Sequence, residues 1–112
     1  MQTVVETPSF LSDADRLFTV EERDALVDMI AADPLCGVLI PGTGGIRKVR
    51  FGFAGRGKRG GARVIYLFAG ERLPVFLLAA FAKNERSDLS GAERAALAKA
   101  VTAMIADYKR HR

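Results

Sequence analysis

Ile46-Arg47-Lys48-Val49-Arg50-Phe51-Gly52-Phe53 and, beyond a loop rich in glycine and cations, Ala62-Arg63-Val64-Ile65-Tyr66-Leu67-Phe68 decide the fold of this 112-residue chain. Side chains alternate sides along an extended strand. Val49, Phe51 and Phe53 therefore share one face, with Lys48 and Arg50 on the other. In the second stretch Val64, Tyr66 and Phe68 share a face, with Arg63, Ile65 and Leu67 opposite. The loop between them, Ala54 to Gly61, is short enough to join neighbouring antiparallel strands.

Working outward, Pro41 to Gly45 reads as a turn before the first of these strands and Gly70 to Leu73 as a turn after the second. Val75 to Ala82 is apolar on both faces, as a central strand is. Upstream, Thr3 to Glu6 reads as a short strand. Thr7-Pro8 reads as a cap with proline at the first helical position, opening a helix with Phe10, Leu11, Ala14 and Leu17. Thr19 and Glu22 have the spacing of a capping box. The helix they start carries Val20, Leu26, Val27 and Ile30, and Asp33-Pro34 stops it. Downstream, Ser90 and Glu93 repeat the capping box ahead of a helix with Leu97, Val101, Met104 and Tyr108 on one stripe. The last residues, Lys109 to Arg112, are expected to fray.

The order is β-α-α-β-β-β-α. It predicts a single α+β domain over residues 1–112, with a twisted antiparallel sheet packed by an N-terminal helix pair and a C-terminal helix. The helices are expected on one side of the sheet. Hydrophobic residues make up 49% of the chain, enough for a core.

Charge is unevenly placed. Residues 1–40 carry eight acidic and two basic side chains, net −6; residues 41–86 carry ten basic and two acidic, net +8; residues 87–112 carry five basic and three acidic, net +2. A basic module of that kind attracts polyanions, nucleic acid above all.

Several classes are excluded by residue type. A single cysteine, Cys36, allows no internal disulfide. With one histidine, His111, next to the chain end, neither a Cys–His nucleophile pair nor a zinc site can be assembled. Gly55-Arg56-Gly57-Lys58-Arg59-Gly60 fits a dinucleotide fingerprint, but it opens a strand where that fingerprint requires a helix. Gly52 to Lys58 follows a phosphate-binding loop only until Arg59 replaces the hydroxyl residue. No carboxylate pair suits glycoside chemistry. The longest apolar run, Leu73 to Ala82, is too short to span a bilayer, and the first twenty residues do not read as a secretory signal. A cytoplasmic protein is expected.

The basic residues remain. Lys48 and Arg50 share a strand face, Lys58 and Arg59 sit in the glycine loop, Arg63 begins one strand and Lys83 ends the next. In a meander the start of one strand lies near the end of its successor, so Arg63 and Lys83 are expected to approach. RNA carries its own nucleophile, the 2′-hydroxyl. A protein that cuts by that route must align the hydroxyl with phosphorus, remove its proton, stabilise charge on phosphate and protonate the leaving 5′-oxygen. Arginine and lysine supply the charge stabilisation, and a lysine crowded by cations can serve as base. The same residues would also suit phosphate binding without cleavage. Tyr66 and most of the phenylalanines fall on the core stripe, with Phe53 placed to stack on a base.

Three stretches taken together, Gly42-Thr43-Gly44-Gly45-Ile46-Arg47-Lys48-Val49-Arg50, Gly57 to Tyr66 and Phe81-Ala82-Lys83-Asn84-Glu85-Arg86-Ser87-Asp88-Leu89, resemble the RelE/HigB-type toxins of type II toxin–antitoxin systems, the HigB branch in particular. The resemblance covers nearly the whole chain. It implies a metal-independent endoribonuclease without a cofactor that enters the ribosomal A site, cuts translated mRNA and inhibits translation. It implies catalytic roles for Lys48, Arg50, Arg63 and Lys83, and RNA contacts from Arg47, Lys58, Arg59, Asn84 and Arg86. The implied partners are the 70S ribosome with its mRNA and a cognate antitoxin, usually a helix-turn-helix DNA-binding protein. The chain departs from the RelE pattern at Asn84, where that branch has arginine, and at Ser90, where it has tyrosine. The base is Lys48, Lys83 or Lys58. The alternatives are a ParE-like poison of DNA gyrase on the same fold and a non-catalytic nucleic-acid-binding relative.

Overall fold

Both N-terminal helices start where their threonines predict. Thr7 accepts from the Phe10 N–H, and Thr19 and Glu22 exchange side-chain and backbone hydrogen bonds in a complete capping box. The computed structural model describes residues 1–52, 61–85 and 88–111. Its elements are β1 (Val4–Glu6), α1 (Pro8–Leu17), α2 (Val20–Ala32), β2 (Val38–Leu39), β3 (Ile46–Phe51), β4 (Ala62–Leu67), β5 (Val75–Ala82) and α3 (Gly91–His111), an α+β arrangement. The Ser90–Glu93 capping box is formed ahead of α3. α3 runs through Lys109 to His111, where fraying was expected; Asp107 binds both Arg110 and His111 there. No helix among the described residues is long and apolar enough to cross a membrane.

The five strands lie in the order β1-β5-β4-β3-β2. Three pairings are antiparallel; β1 runs parallel to β5, so the sheet is mixed. The parallel edge follows from chain direction, because α1 and α2 carry the chain from β1 to the far side of the meander. β2 is the strand that the sequence hides. It has two residues, Val38 and Leu39, both exposed, and offers no alternation to read.

The helices do not all lie on one side as expected. α1 and α2 pack Phe10, Ala14, Leu17, Leu26 and Ile30 on the face of Val64, Tyr66, Val75 and Leu77. α3 packs Leu97, Val101, Met104 and Ile105 on the opposite face, against Ile46, Ile65, Leu67 and Phe76. The reason lies in β4 and β5, whose side chains are apolar on both faces, so that both faces need cover. Val20 does not reach the core. It is the first residue of α2 and is 65% exposed.

The turn before β3 is built round Thr43, which is buried. Its hydroxyl donates to the Ile40 carbonyl at 2.5 Å and accepts from the Ile46 N–H at 3.2 Å. That leaves Gly42, Gly44 and Gly45 to take positive φ. At Gly45 a side chain would also collide with the Phe68 carbonyl, 2.8 Å from where a Cβ would sit.

Tyr66 ties the sheet to the loop after α2. Its hydroxyl donates to the Pro34 carbonyl at 2.7 Å and accepts from the Gly37 N–H at 2.8 Å. Burial pushes this phenol well above its ordinary value of 10.0. The raised value favours the folded state below pH 10, and the advantage is lost as pH rises and the unfolded tyrosine ionises. Tyr66→Phe should lower stability at pH 7 by about 1–3 kcal/mol, since two buried backbone groups lose their partner. Thermal melting between pH 8 and 11 should then fall more steeply for the wild type than for the variant.

Candidate functional site

The β3–β4 register brings the basic residues together. Lys48 lies opposite Ile65, and Arg50 lies directly opposite Arg63. Since Ile65 faces α3, Lys48, Arg50 and Arg63 all share the α3 side of the sheet. On β5, Phe81 stands opposite Arg63 and Ala82 opposite Ala62; Lys83 follows, its N–H donating to the Gly61 carbonyl at 3.0 Å. The expected approach of Arg63 and Lys83 is thus the approach of two strand ends. α3 covers the half of this face that holds Ile46, Leu67 and Phe76. At the other half Arg50 is exposed, and Lys48, Arg63 and Lys83 are partly so.

Like charges directly opposite each other across a ladder destabilise a sheet, the Cβ atoms of such a pair being about 5 Å apart. Arg50 and Arg63 are such a pair, and neither has an ion-pair partner among the described residues. A bound anion between them would reverse the sign of that interaction. Gly61 supports the site from its side. It has φ of +60° and lies against the Phe51 backbone, so the residue preceding β4 has no room for a side chain.

Of the other expected residues, Arg47 and Asn84 are described. Arg47 does not join the cluster, because the pleat turns it to the opposite face, beside Tyr66. There its guanidinium donates to the Gly37 carbonyl at 2.7 Å, which secures the same loop that Tyr66 holds. Asn84 lies exposed in the turn after β5. Lys58, Arg59 and Arg86, together with Phe53, lie outside the described residues.

Two features escaped sequence reasoning because they join residues far apart in the chain. The first fastens the end of β5 to α1. Asp13 accepts the Ala80 N–H at 2.9 Å, while Arg16 grips both carboxylate oxygens of Glu85 at 2.9 Å. Glu85 in turn accepts the Ala82 N–H at 3.2 Å. These contacts satisfy the edge of β5 beyond the point where β1 stops. The second is Asp88, whose Oδ2 lies 2.8 Å from the Lys48 Nζ. The Lys48 hydrogen bond, and then the Leu89 N–H, hold the Asp88 carboxyl below its ordinary range. A lowered value means that this contact contributes at neutral pH and fades only as pH falls below about 4.

These features define a small α+β protein whose sheet ends in a cluster of cations. The chain matches the family described as the RelE toxin of the RelE/RelB toxin–antitoxin system over residues 41–111, more than half of its length. It belongs to the RelE toxin family and is the toxin of a toxin–antitoxin pair, with an antitoxin as its partner. The matched span begins at the turn before β3 and includes Lys48, Arg50, Arg63, Lys83 and Asp88.

Proposed function

We propose that this toxin is a ribosome-dependent endoribonuclease that cuts translated mRNA in the A site, using the RNA 2′-hydroxyl as nucleophile and neither metal nor cofactor. The observation that carries this reading is the Arg50–Arg63 pair, set directly opposite on an open sheet face with Lys48 and Lys83 beside it. In the reaction the 2′-oxygen bonds to phosphorus and the bond from phosphorus to the 5′-oxygen breaks. A base takes the 2′-proton, and an acid protonates the departing 5′-oxygen. The products are a 2′,3′-cyclic phosphate and a 5′-hydroxyl. Arg50 and Arg63 neutralise the charge that grows on the phosphate oxygens.

Asn84, Lys58, Arg59 and Arg86 are assigned to RNA contact, and Arg47 to the fold. The Gly42 to Lys48 turn supports the HigB branch. The setting is the cytoplasm, and the antitoxin is of the helix-turn-helix DNA-binding kind. Pulse labelling after induction tests the reading against gyrase poisoning. Protein synthesis should stop before DNA synthesis; the reverse order, with a DNA-damage response, would contradict it. Normal growth with salt-sensitive RNA binding would indicate a non-catalytic relative.

A further inference from the structure

We propose that Asp88 is a positioning residue, one that orients Lys48 so that Lys48 is the acid that protonates the leaving 5′-oxygen. This assignment rests on the nuclease reading above. It starts from the contact of 2.8 Å between the Asp88 Oδ2 and the Lys48 Nζ. A lysine donates a proton as its ammonium, and the proton must point at the leaving oxygen. A carboxylate at hydrogen-bond distance fixes the direction in which the ammonium points. Lys48 is thus prepared to donate, and the base falls among the remaining lysines, with Lys83 the one described at this end of the sheet.

The other charges that share the face of Lys48 are cations. On its own strand Arg50 shares its face, and across the ladder β4 contributes Arg63. β2 contributes no charge, since its residue opposite Lys48 is Val38. From α3, Arg94 acts on Asp88 as a further cation. Among the described residues Asp88 alone ion-pairs with Lys48.

Asp88 is itself held in place. Its Oδ1 accepts the Leu89 N–H at 2.8 Å, Leu89 is buried in the α3-side core, and Ser90 begins the capping box of α3. The carboxylate is therefore mounted on a fixed helix start, with the ammonium partly exposed beside it, 34% for the Lys48 side chain and 41% for Asp88. RNA reaches the pair from solvent. In the chemical step the Nζ proton passes to the 5′-oxygen as its bond to phosphorus breaks, leaving a neutral Lys48 beside the Asp88 carboxylate.

Two measurements on the full-length protein test the proposal. The first needs no activity. The Lys48 side-chain Cε resonance is compared at neutral pH in the wild type, Asp88→Asn and Asp88→Glu. It should move in the asparagine variant, where the charged contact is lost, and glutamate should restore the wild-type position. An identical resonance in all three would overturn the proposal.

The second compares cleavage of ribosome-bound mRNA at an ordinary scissile linkage and at one whose 5′-oxygen is replaced by sulfur. A thiolate leaves without protonation, so loss of an acid is masked on the sulfur linkage. Asp88→Asn should cut the ordinary linkage up to roughly 100-fold more slowly and the sulfur linkage at nearly the wild-type rate. Asp88→Glu should recover most of the loss. Equal loss on both linkages would assign Asp88 to structure alone and overturn the proposal. If the wild type cut neither linkage, the nuclease reading and the acid role would both fall, while an Asp88-dependent Lys48 resonance would still establish that the two residues are in contact.

Discussion

Arg63→Ala should lower cleavage of ribosome-bound mRNA by roughly 100- to 1,000-fold, the usual consequence of removing one preorganised group that stabilises transition-state charge. Arg63 sits on a strand fully paired on both sides, opposite Arg50 on β3 and Phe81 on β5, so its backbone cannot shift to compensate. It is also the cation nearest the middle of the cluster, with Lys48 and Arg50 on one side and Lys83 on the other. The fold should tolerate the change, because removing one of two like charges set opposite each other relieves the sheet. Single-turnover cleavage and thermal melting on the same preparation check both halves. A large loss of rate with an unchanged or slightly higher melting temperature is expected. A rate within a few-fold of the wild type would remove Arg63 from the site.

Phe10→Ala should bring the largest loss of stability, about 3–5 kcal/mol. Phe10 is fully buried and carries α1 onto the face of Val64, Tyr66, Val75 and Leu77. A domain of this size has about 5–15 kcal/mol in total, so the melting temperature should drop by roughly 10–20 °C. Leu35→Ala provides the contrast. Leu35 is 60% exposed and the change should stay within about 0.5 kcal/mol. Denaturant unfolding of the two variants measures the difference. Equal effects would mean that α1 does not rest on the sheet as described.

Features set by nearest neighbours were legible in the sequence. The capping pairs Thr19–Glu22 and Ser90–Glu93 each act across three residues, and both formed where their spacing predicts. Alternation placed Lys48 and Arg50 together on one face of β3 and Arg63 with Ile65 and Leu67 on one face of β4, and the antiparallel register then joined the two faces and set Arg50 against Arg63. What remained hidden depends on distant residues. Lys48 and Asp88 are separated by 40 positions, and Arg16 and Glu85 by 69. No periodicity connects such pairs. The same alternation that isolated Lys48 placed Arg47 on the opposite face, but only the loop packed there explains why a cation is held at that position. Cover on both sheet faces was missed: the helices were expected on one side, although β5 is apolar on both faces and α3 packs opposite α1 and α2.

The most direct test of the central claim uses purified protein, programmed 70S ribosomes and an mRNA carrying a single 2′-deoxy substitution at the cleaved nucleotide. The unmodified mRNA should be cut only when it is on the ribosome, leaving a 2′,3′-cyclic phosphate and a 5′-hydroxyl, and the 2′-deoxy mRNA should remain whole. Cleavage of the 2′-deoxy mRNA, or products ending in a free 3′-hydroxyl, would mean that water is the nucleophile and would contradict the account.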